Sequence, residues 1–191
     1  MVRVKHLFNI LLAAILLSAI PESVSLAAEP AVGDSLPSFF LRDINGANFY
    51  LTDYIGARAK TPCRGIVFSF CASYCEPCKK EIPELEKVAA KYREQGFRVF
   101  LVAIERQESA RDLVKETGTT LPVLIDRYLV VQKLLGFEGI PYTVLVDGSG
   151  IIRYISTGFS ESHASEAMER FEQEVCACLA ADAADAGAGT R

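Results

Sequence analysis

The sequence contains no tryptophan and only two histidines and two methionines among its 191 residues. Basic side chains are also scarce, with 20 lysines and arginines against 24 aspartates and glutamates and a formal net charge of −4. A protein that binds the phosphate backbone of nucleic acid needs a basic patch. The composition therefore argues against a nucleic acid partner, and the scarcity of histidine weakens any zinc interpretation. No cysteine precedes Cys63, so the sequence offers no N-terminal cysteine for lipid attachment.

The first 27 residues have the pattern of a secretory signal. Two basic residues precede an apolar run from Leu7 to Ile20, and small residues before and at Ala27 are spaced for cleavage. Spanning a membrane takes about 20 apolar residues, and this run is stopped by Pro21. We expect residues 1–27 to be a signal peptide cleaved near Ala27. The mature protein is then periplasmic or otherwise exported, without stable membrane insertion; if the segment is uncleaved, it is a membrane anchor.

Downstream of the signal, strand and helix patterns alternate. Two short apolar runs flank Asn45-Gly46, the strongest short signal for a β-hairpin. Nearly continuous apolar runs, typical of strands buried on both faces, begin at Gly65 and Phe97, and helical spacing begins at Glu76. These patterns predict an α/β fold with a mixed central sheet flanked by helices and an extra N-terminal hairpin. Residues 180–191 are small and polar, so we expect a disordered tail.

The stretch FCASYCEPCKKEIPEL, residues 70–85, places two cysteines at the junction of a buried strand and a helix. Cys75 falls at the predicted helix N-terminus, where unpaired N–H groups and the helix dipole stabilise a thiolate, which is the attacking form of cysteine. Cys78 lies one turn on, on the same side. Pro77 is tolerated in the first turn because its missing N–H would have had no partner. The spacing indicates a redox dithiol.

Two other interpretations of this pair stay open. A zinc site would need a second pair at similar spacing, and the other close pair, Cys176 and Cys178, has only one residue between its members. A purely structural disulfide between Cys75 and Cys78 would close a very short loop, with little entropic benefit.

The residues from Val32 to Arg170 resemble the TlpA/ResA-like thiol-disulfide oxidoreductases of the thioredoxin superfamily. The active-site stretch quoted above carries the resemblance, together with VGDSLPSFFLRDINGANFYLTDYIG, LPVLID and GIPYTVLVDGSGIIRYISTG. The resemblance implies a thioredoxin-like domain over residues 28–179. It also implies a cis bond between Ile140 and Pro141 beside the dithiol, with the Ile140 backbone free to pair with an extended substrate.

Two acids near the dithiol bear on its redox properties. Glu81 matches the glutamate that follows the motif in ResA-like proteins, and three residues after Cys78 it is placed to reach the dithiol. A carboxylate there raises the pKa of a thiol and can relay protons; the alternative is a solvated helix acid. Glu76 adds negative charge inside the motif. Destabilising the thiolate makes the couple more reducing, so we predict a reductant.

The sequence departs from the family pattern around the first cysteine. Cys71 and Tyr74 stand where tryptophans are usual. Cys71 is interpreted as a small buried core residue, with a role as a third redox sulfur as the alternative. The longer lead-in loop carries Cys63, and the closing helix places Cys176 and Cys178 near the start of the central strand. We therefore predict a structural disulfide from Cys63 to one of them.

The predicted function is an exported protein-disulfide reductase with protein thiols and disulfides as substrates and a membrane-bound thiol as electron donor, as the resemblance implies. It involves no cofactor and no metal. The alternative is a Cu(I)-binding metallochaperone of the same fold, since Cys71, Cys75, Cys78 and His163 offer soft ligands. A peroxiredoxin is a weaker alternative, because Ala72 stands where its threonine is required.

Overall fold

Seven strands form one sheet in the computed structural model, which describes residues 29–188 and their side chains as far as residue 180. Their bounds are β1 Phe40–Asp43, β2 Asn48–Tyr50, β3 Gly65–Cys71, β4 Phe97–Ala103, β5 Val123–Ile125, β6 Tyr142–Asp147 and β7 Ile152–Thr157. Their order across the sheet is β2-β1-β5-β4-β3-β6-β7. β3 is parallel to β4 and antiparallel to β6, and β4 is parallel to β5. The sheet is therefore mixed, as the sequence predicts.

Within the described residues, four α-helices connect or follow these strands: α1 Glu76–Tyr92, α2 Gln107–Thr117, α3 Val130–Leu135 and α4 Ala164–Ala188. Short 3₁₀ turns span Leu51–Asp53, Arg93–Gln95 and Glu161–His163. α1 continues through Pro83, although a proline cannot donate the backbone hydrogen bond to the residue four positions earlier. The helix thus keeps its buried face from Cys78 to Tyr92.

The predicted N-terminal hairpin is present. β1 and β2 pair antiparallel, and Gly46 in the turn has a φ of 91°, which a residue without a Cβ adopts readily. The Asp43 carboxylate accepts from the backbone N–H groups of Asn45 and Ala47, both at 2.8 Å. β1 also pairs antiparallel with β5, so the hairpin extends the central sheet and removes an edge at β5.

Successive side chains of β3 point to opposite faces of the sheet, so the core has two parts. Ile66, Phe68 and Phe70 pack with the hairpin and α3 on one face of the sheet, whereas Val67 and Cys71 pack with α1, α2 and α4 on the other. Every residue of β3 is buried. The strand that leads into the cysteine pair is therefore covered on both sides.

The predicted disulfide from Cys63 to Cys176 or Cys178 is wrong. Cys63 carries a free thiol that lies 3.6 Å from the carbonyl oxygen of Thr61, in the core on the hairpin face. Cys178 belongs to the core on the α1 and α4 face, and the exposed Cys176 lies 3.4 Å from the hydroxyl of Tyr92 in α1. The topology brings Cys63 and the pair on α4 to the same end of the sheet but to opposite faces.

The structure describes part of the predicted C-terminal tail but none of the predicted signal peptide. The predicted signal peptide, residues 1–27, lies outside the described residues. α4 continues to Ala188, so helical backbone enters the segment for which the sequence predicts disorder; alanine, which is frequent there, has the highest helix propensity. Of the helices within residues 29–188, none has the length and apolar character needed to cross a membrane.

The free thiol of Cys63 predicts how this residue reacts with an alkylating reagent. After denaturation without reductant, iodoacetamide should modify Cys63, because its thiol is free in the folded protein. Peptide mapping by mass spectrometry reads this out, with Cys75 and Cys78 as the pair that requires prior reduction. If Cys63 becomes reactive only after reduction, the assignment of a free thiol is incorrect.

Candidate active site

A tight turn carries the chain from the end of β3 to the start of α1. Cys71 ends the strand, and the backbone N–H of Cys75 donates to the carbonyl of Ala72 at 3.0 Å, closing a turn with Ser73 and Tyr74 at its centre. Cys75 is the N-cap residue of α1, with extended backbone angles. Its Sγ accepts a hydrogen bond from the backbone N–H of Cys78 at 3.2 Å. This N–H group of the first helical turn has no partner within the helix, and it donates to the sulfur of Cys75 instead.

Cys75 and Cys78 form a disulfide with their Cα atoms 5.3 Å apart. Cys75 is 6% exposed and Cys78 is fully buried. Of the two residues, only Cys75 has solvent-accessible surface, so it is the member of the pair that an incoming thiol or disulfide can approach. This asymmetry matches an attacking cysteine followed by a resolving one.

The two residues between the cysteines lie at the surface. Pro77 occupies the first turn of α1. Glu76 is exposed and forms an ion pair with Lys79 at 2.9 Å, and Lys79 also pairs with Glu116 of α2 at 2.7 Å. The hydrogen bond from Lys79 lowers the pKa of the Glu76 carboxyl. The negative charge of Glu76 thus stays beside the dithiol with a partner.

Glu81 is a buried acid on the inner face of α1, so the alternative of a solvated helix acid is wrong. Its carboxylate accepts from the hydroxyls of Ser69 and Thr143, both at 2.9 Å. These two residues face each other across β3 and β6. Burial raises the pKa of Glu81, although the two hydrogen bonds act in the opposite direction. The carboxylate lies on the same buried face of α1 as Cys78.

Cys71 is buried at the end of β3, as the core interpretation predicts. Its pKa is raised, first by burial and then by the negative charges of Glu81 and Glu105. A protonated thiol is a poor nucleophile. Cys71 therefore does not compete with Cys75 for an incoming disulfide.

Ile140 and Pro141 lie next to the dithiol end of β3. The peptide bond between them is cis, and Tyr142, the next residue, pairs with Phe70 of β3. The carbonyl of Pro141 accepts from the backbone N–H of Gly158 at 2.7 Å, which ties this loop to the end of β7. The site thus brings together residues about 65 positions apart in the sequence by the pairing of antiparallel strands.

A cavity of about 470 Å³ that the sequence does not predict lies beside α1. Its lining includes Glu81, Thr143, Tyr154, Phe159, His163 and Met168. Within the part of the chain that the structure describes, no three His, Cys, Asp or Glu side chains are grouped so that they could hold a metal ion. The four ligands considered for Cu(I), namely Cys71, Cys75, Cys78 and His163, are accordingly not assembled into a metal site in this oxidised state.

Comparisons with known proteins find one family and several thiol-disulfide oxidoreductases that are similar to this chain. A model of the AhpC/TSA family matches residues 32–155. The thiol-disulfide oxidoreductase ResA of Geobacillus thermodenitrificans is 32% identical over 129 residues, which cover 67% of this chain and 70% of that protein. ResA of Halalkalibacterium halodurans is 30% identical over 144 residues, covering 74% of this chain and 78% of the relative.

A solved structure shows the same architecture. A Chlorobium tepidum protein assigned as the thiol:disulfide interchange protein DsbE superposes with a TM-score of 0.68 at 27% identity. The match covers 78% of this chain and 99% of that protein.

Burial of Glu81 predicts a pH-dependent stability. An acid whose pKa is higher in the folded protein holds a proton that the unfolded chain releases, so stability falls as pH rises from the ordinary value of 4.5 through the raised folded value. Glutamine does not titrate, so the Glu81→Gln variant does not lose stability in this way. The free energy of unfolding of the variant, relative to wild type, should therefore increase with pH over that window.

Urea unfolding at a series of pH values measures this difference. Glu94→Gln, which removes the same charge from an exposed position, is the control. A relative stability of Glu81→Gln that stays constant or falls as pH rises would contradict the assignment of Glu81 as a buried, proton-retaining acid.

Proposed function

Because the chain belongs to the AhpC/TSA family and has ResA thiol-disulfide oxidoreductases among its relatives, we propose that it is an exported reductant of protein disulfides that works through Cys75 and Cys78. The family and the mixed sheet confirm the thioredoxin-like fold and the resemblance to ResA-like proteins. The chain is therefore a thiol-disulfide oxidoreductase. The direction of the reaction, the two named cysteines, the clients and the compartment are the proposal.

The single observation that carries the proposed mechanism is the unequal exposure of a cysteine pair at a helix N-terminus. In the reduced enzyme, the thiolate of Cys75 attacks one sulfur of a client disulfide, forms a mixed disulfide and releases the other client sulfur as a thiolate. Cys78 then loses its proton and attacks Cys75. The client leaves with both of its cysteines reduced, and the enzyme is left oxidised by two electrons, with a disulfide between Cys75 and Cys78.

A donor thiol must reduce the enzyme after each cycle. We propose a membrane-bound dithiol, in keeping with the family resemblance and with export of the mature chain. Exchange with such a donor reverses the two steps at the same sulfur, because Cys75 is the more accessible member of the pair.

The acids around the dithiol support the reducing direction. Glu76 lies inside the motif, and Glu81 lies under the same helix face as Cys78. Negative charge near a thiolate stabilises the disulfide form relative to the dithiol. Service to cysteine-bearing clients such as apocytochrome c is consistent with this direction, and the client itself is part of the proposal.

Insulin reduction tests the role of the two cysteines. Cys75→Ser should abolish the activity, whereas Cys78→Ser should accumulate a mixed disulfide that mass spectrometry finds on Cys75, because the resolving thiol is missing. Cys176→Ser is the matched control and should retain full activity, because it removes an exposed thiol of α4 that lies beside Tyr92, at the far end of α1 from Cys75. Activity that survives in Cys75→Ser would refute the proposal.

The redox potential tests the direction. Equilibration with glutathione should place the couple nearer to thioredoxin, at about −270 mV, than to the oxidant DsbA, at about −120 mV. Tryptophan fluorescence is not usable in a chain without tryptophan, so the oxidised fraction is read by alkylation and mass. A potential close to that of DsbA would make the protein an oxidant.

A further inference from the structure

A glutamate just beyond β4 holds the turn that precedes the cysteine pair. Glu105 is the second residue after the end of β4. Its carboxylate contacts Ser73 twice: the Ser73 backbone N–H donates to Oε1 at 2.8 Å and the Ser73 hydroxyl donates to Oε2 at 2.9 Å. Hydrogen bonds to a carboxylate are roughly twice as strong as neutral ones, and a two-point contact also fixes orientation. These bonds join segments 32 residues apart.

The parallel pairing of β3 and β4 explains how Glu105 reaches this position. Cys71 pairs with Ala103, and the ladder continues one step beyond the strands, where the N–H of Ile104 donates to the carbonyl of Cys71 at 3.0 Å. Because the carboxyl ends of parallel strands meet at the same edge, the side chain of Glu105, the residue after Ile104, lies beside the turn that leaves β3.

Ser73 is the first central residue of that turn. The hydrogen bond between Cys75 and Ala72 closes the turn, but it leaves the N–H of Ser73 without a partner inside the turn. Tyr74, the second central residue, is 71% exposed and contributes little to holding the backbone. Among the hydrogen bonds of the described residues, the two bonds from Ser73 to the Glu105 side chain connect this turn to the segment that follows β4.

We propose that Glu105 is a positioning residue for thiol-disulfide exchange, acting through Ser73 to hold the turn that sets Cys75 at the N-terminus of α1. The proposal rests on the proposed function of Cys75 as the attacking sulfur. Cys75 is only 6% exposed, so a small displacement of the turn changes whether a client disulfide can approach its Sγ. In a positioned reaction, a shift of about 1 Å costs roughly 100-fold in rate.

The charge of Glu105 has a second effect on the same site. With Glu81, it adds to the dominant effect of burial in raising the pKa of Cys71. The contacts to Ser73 and this charge can be separated, because glutamine keeps an oxygen that accepts from the Ser73 N–H and an amide group that donates to its hydroxyl. Alanine removes both the contacts and the charge.

The experiment compares Glu105→Ala, Glu105→Gln and Ser73→Ala in a Cys176→Ser background, which removes the exposed thiol from the assay. The reduced proteins react with 5,5′-dithiobis(2-nitrobenzoate), and the rate of attack by Cys75 is measured from pH 5 to 9, beside thermal unfolding. Glu108→Ala, which removes an exposed acid from the first turn of α2, is the matched control.

We expect Glu105→Ala to slow the attack about 10- to 100-fold and to shift its pH profile, whereas Glu105→Gln and Glu108→Ala stay close to the background protein. Ser73→Ala should slow the attack less, and adding it to Glu105→Ala should have no further effect, since both remove one interaction. A purely structural role would lower the unfolding temperature and leave the pH profile unchanged.

Two results would overturn the proposal: an unchanged rate and profile in Glu105→Ala, or a Glu105→Gln variant as slow as alanine, which would assign the effect to charge. If Glu105→Ala does not fold, the other two variants test the proposal. An unchanged rate of attack in Ser73→Ala contradicts it, and so does a slow rate of attack in Glu105→Gln. Failure of the proposed function is separate: it would appear as wild-type reactivity in Cys75→Ser.

Discussion

The site depends on a helix that begins where a fully buried strand ends. β3 is covered on both faces, so the position of its last residue, Cys71, is fixed by the core. One turn later, Cys75 caps α1 and its sulfur accepts an N–H from Cys78. The backbone thus supplies the electrostatic environment of the sulfur, and the two layers of the core keep that environment in place.

One face of α1 carries the groups that control the sulfur chemistry. Cys78 lies one turn below Cys75, and Glu81 lies one turn further, held by Ser69 and Thr143. Burial first, and then the negative charges of Glu81 and Glu105, raise the pKa of Cys71, while Cys75 keeps a small exposed surface. Three cysteines within eight residues therefore present one sulfur to a client. This selectivity arises from burial and charge rather than from the order of the cysteines in the sequence.

Local signals predicted the fold well because they depend on neighbouring residues. The hairpin at Asn45-Gly46, the apolar run of β3 and the helical spacing after Glu76 each follow from backbone preference and side-chain period. The location of the cysteine pair at the helix start follows from the same signals. The Ile140–Pro141 pair was placed by family resemblance, since the sequence alone contains no signal for the pairing of β6 with β3.

Long-range contacts were harder to predict. The prediction of a disulfide from Cys63 used the topology, which indicates the end of the sheet at which a residue lies. It could not indicate the face of the sheet, because the face depends on the side-chain direction at one loop position. The partners of Glu81 come from two strands, and Glu105 reaches Ser73 only because β3 and β4 are parallel and in register. A serine and a glutamate 32 residues apart carry no pattern that a single sequence reveals.

Time-resolved alkylation of the reduced, folded protein tests the central claim most directly. Iodoacetamide modification at each cysteine, quantified by peptide mass, reports which sulfur is both exposed and ionised. The account predicts that Cys75 is modified first among the cysteines of residues 71–78, with Cys71 and Cys78 far slower. Modification of Cys71 or Cys78 as fast as that of Cys75 would contradict it.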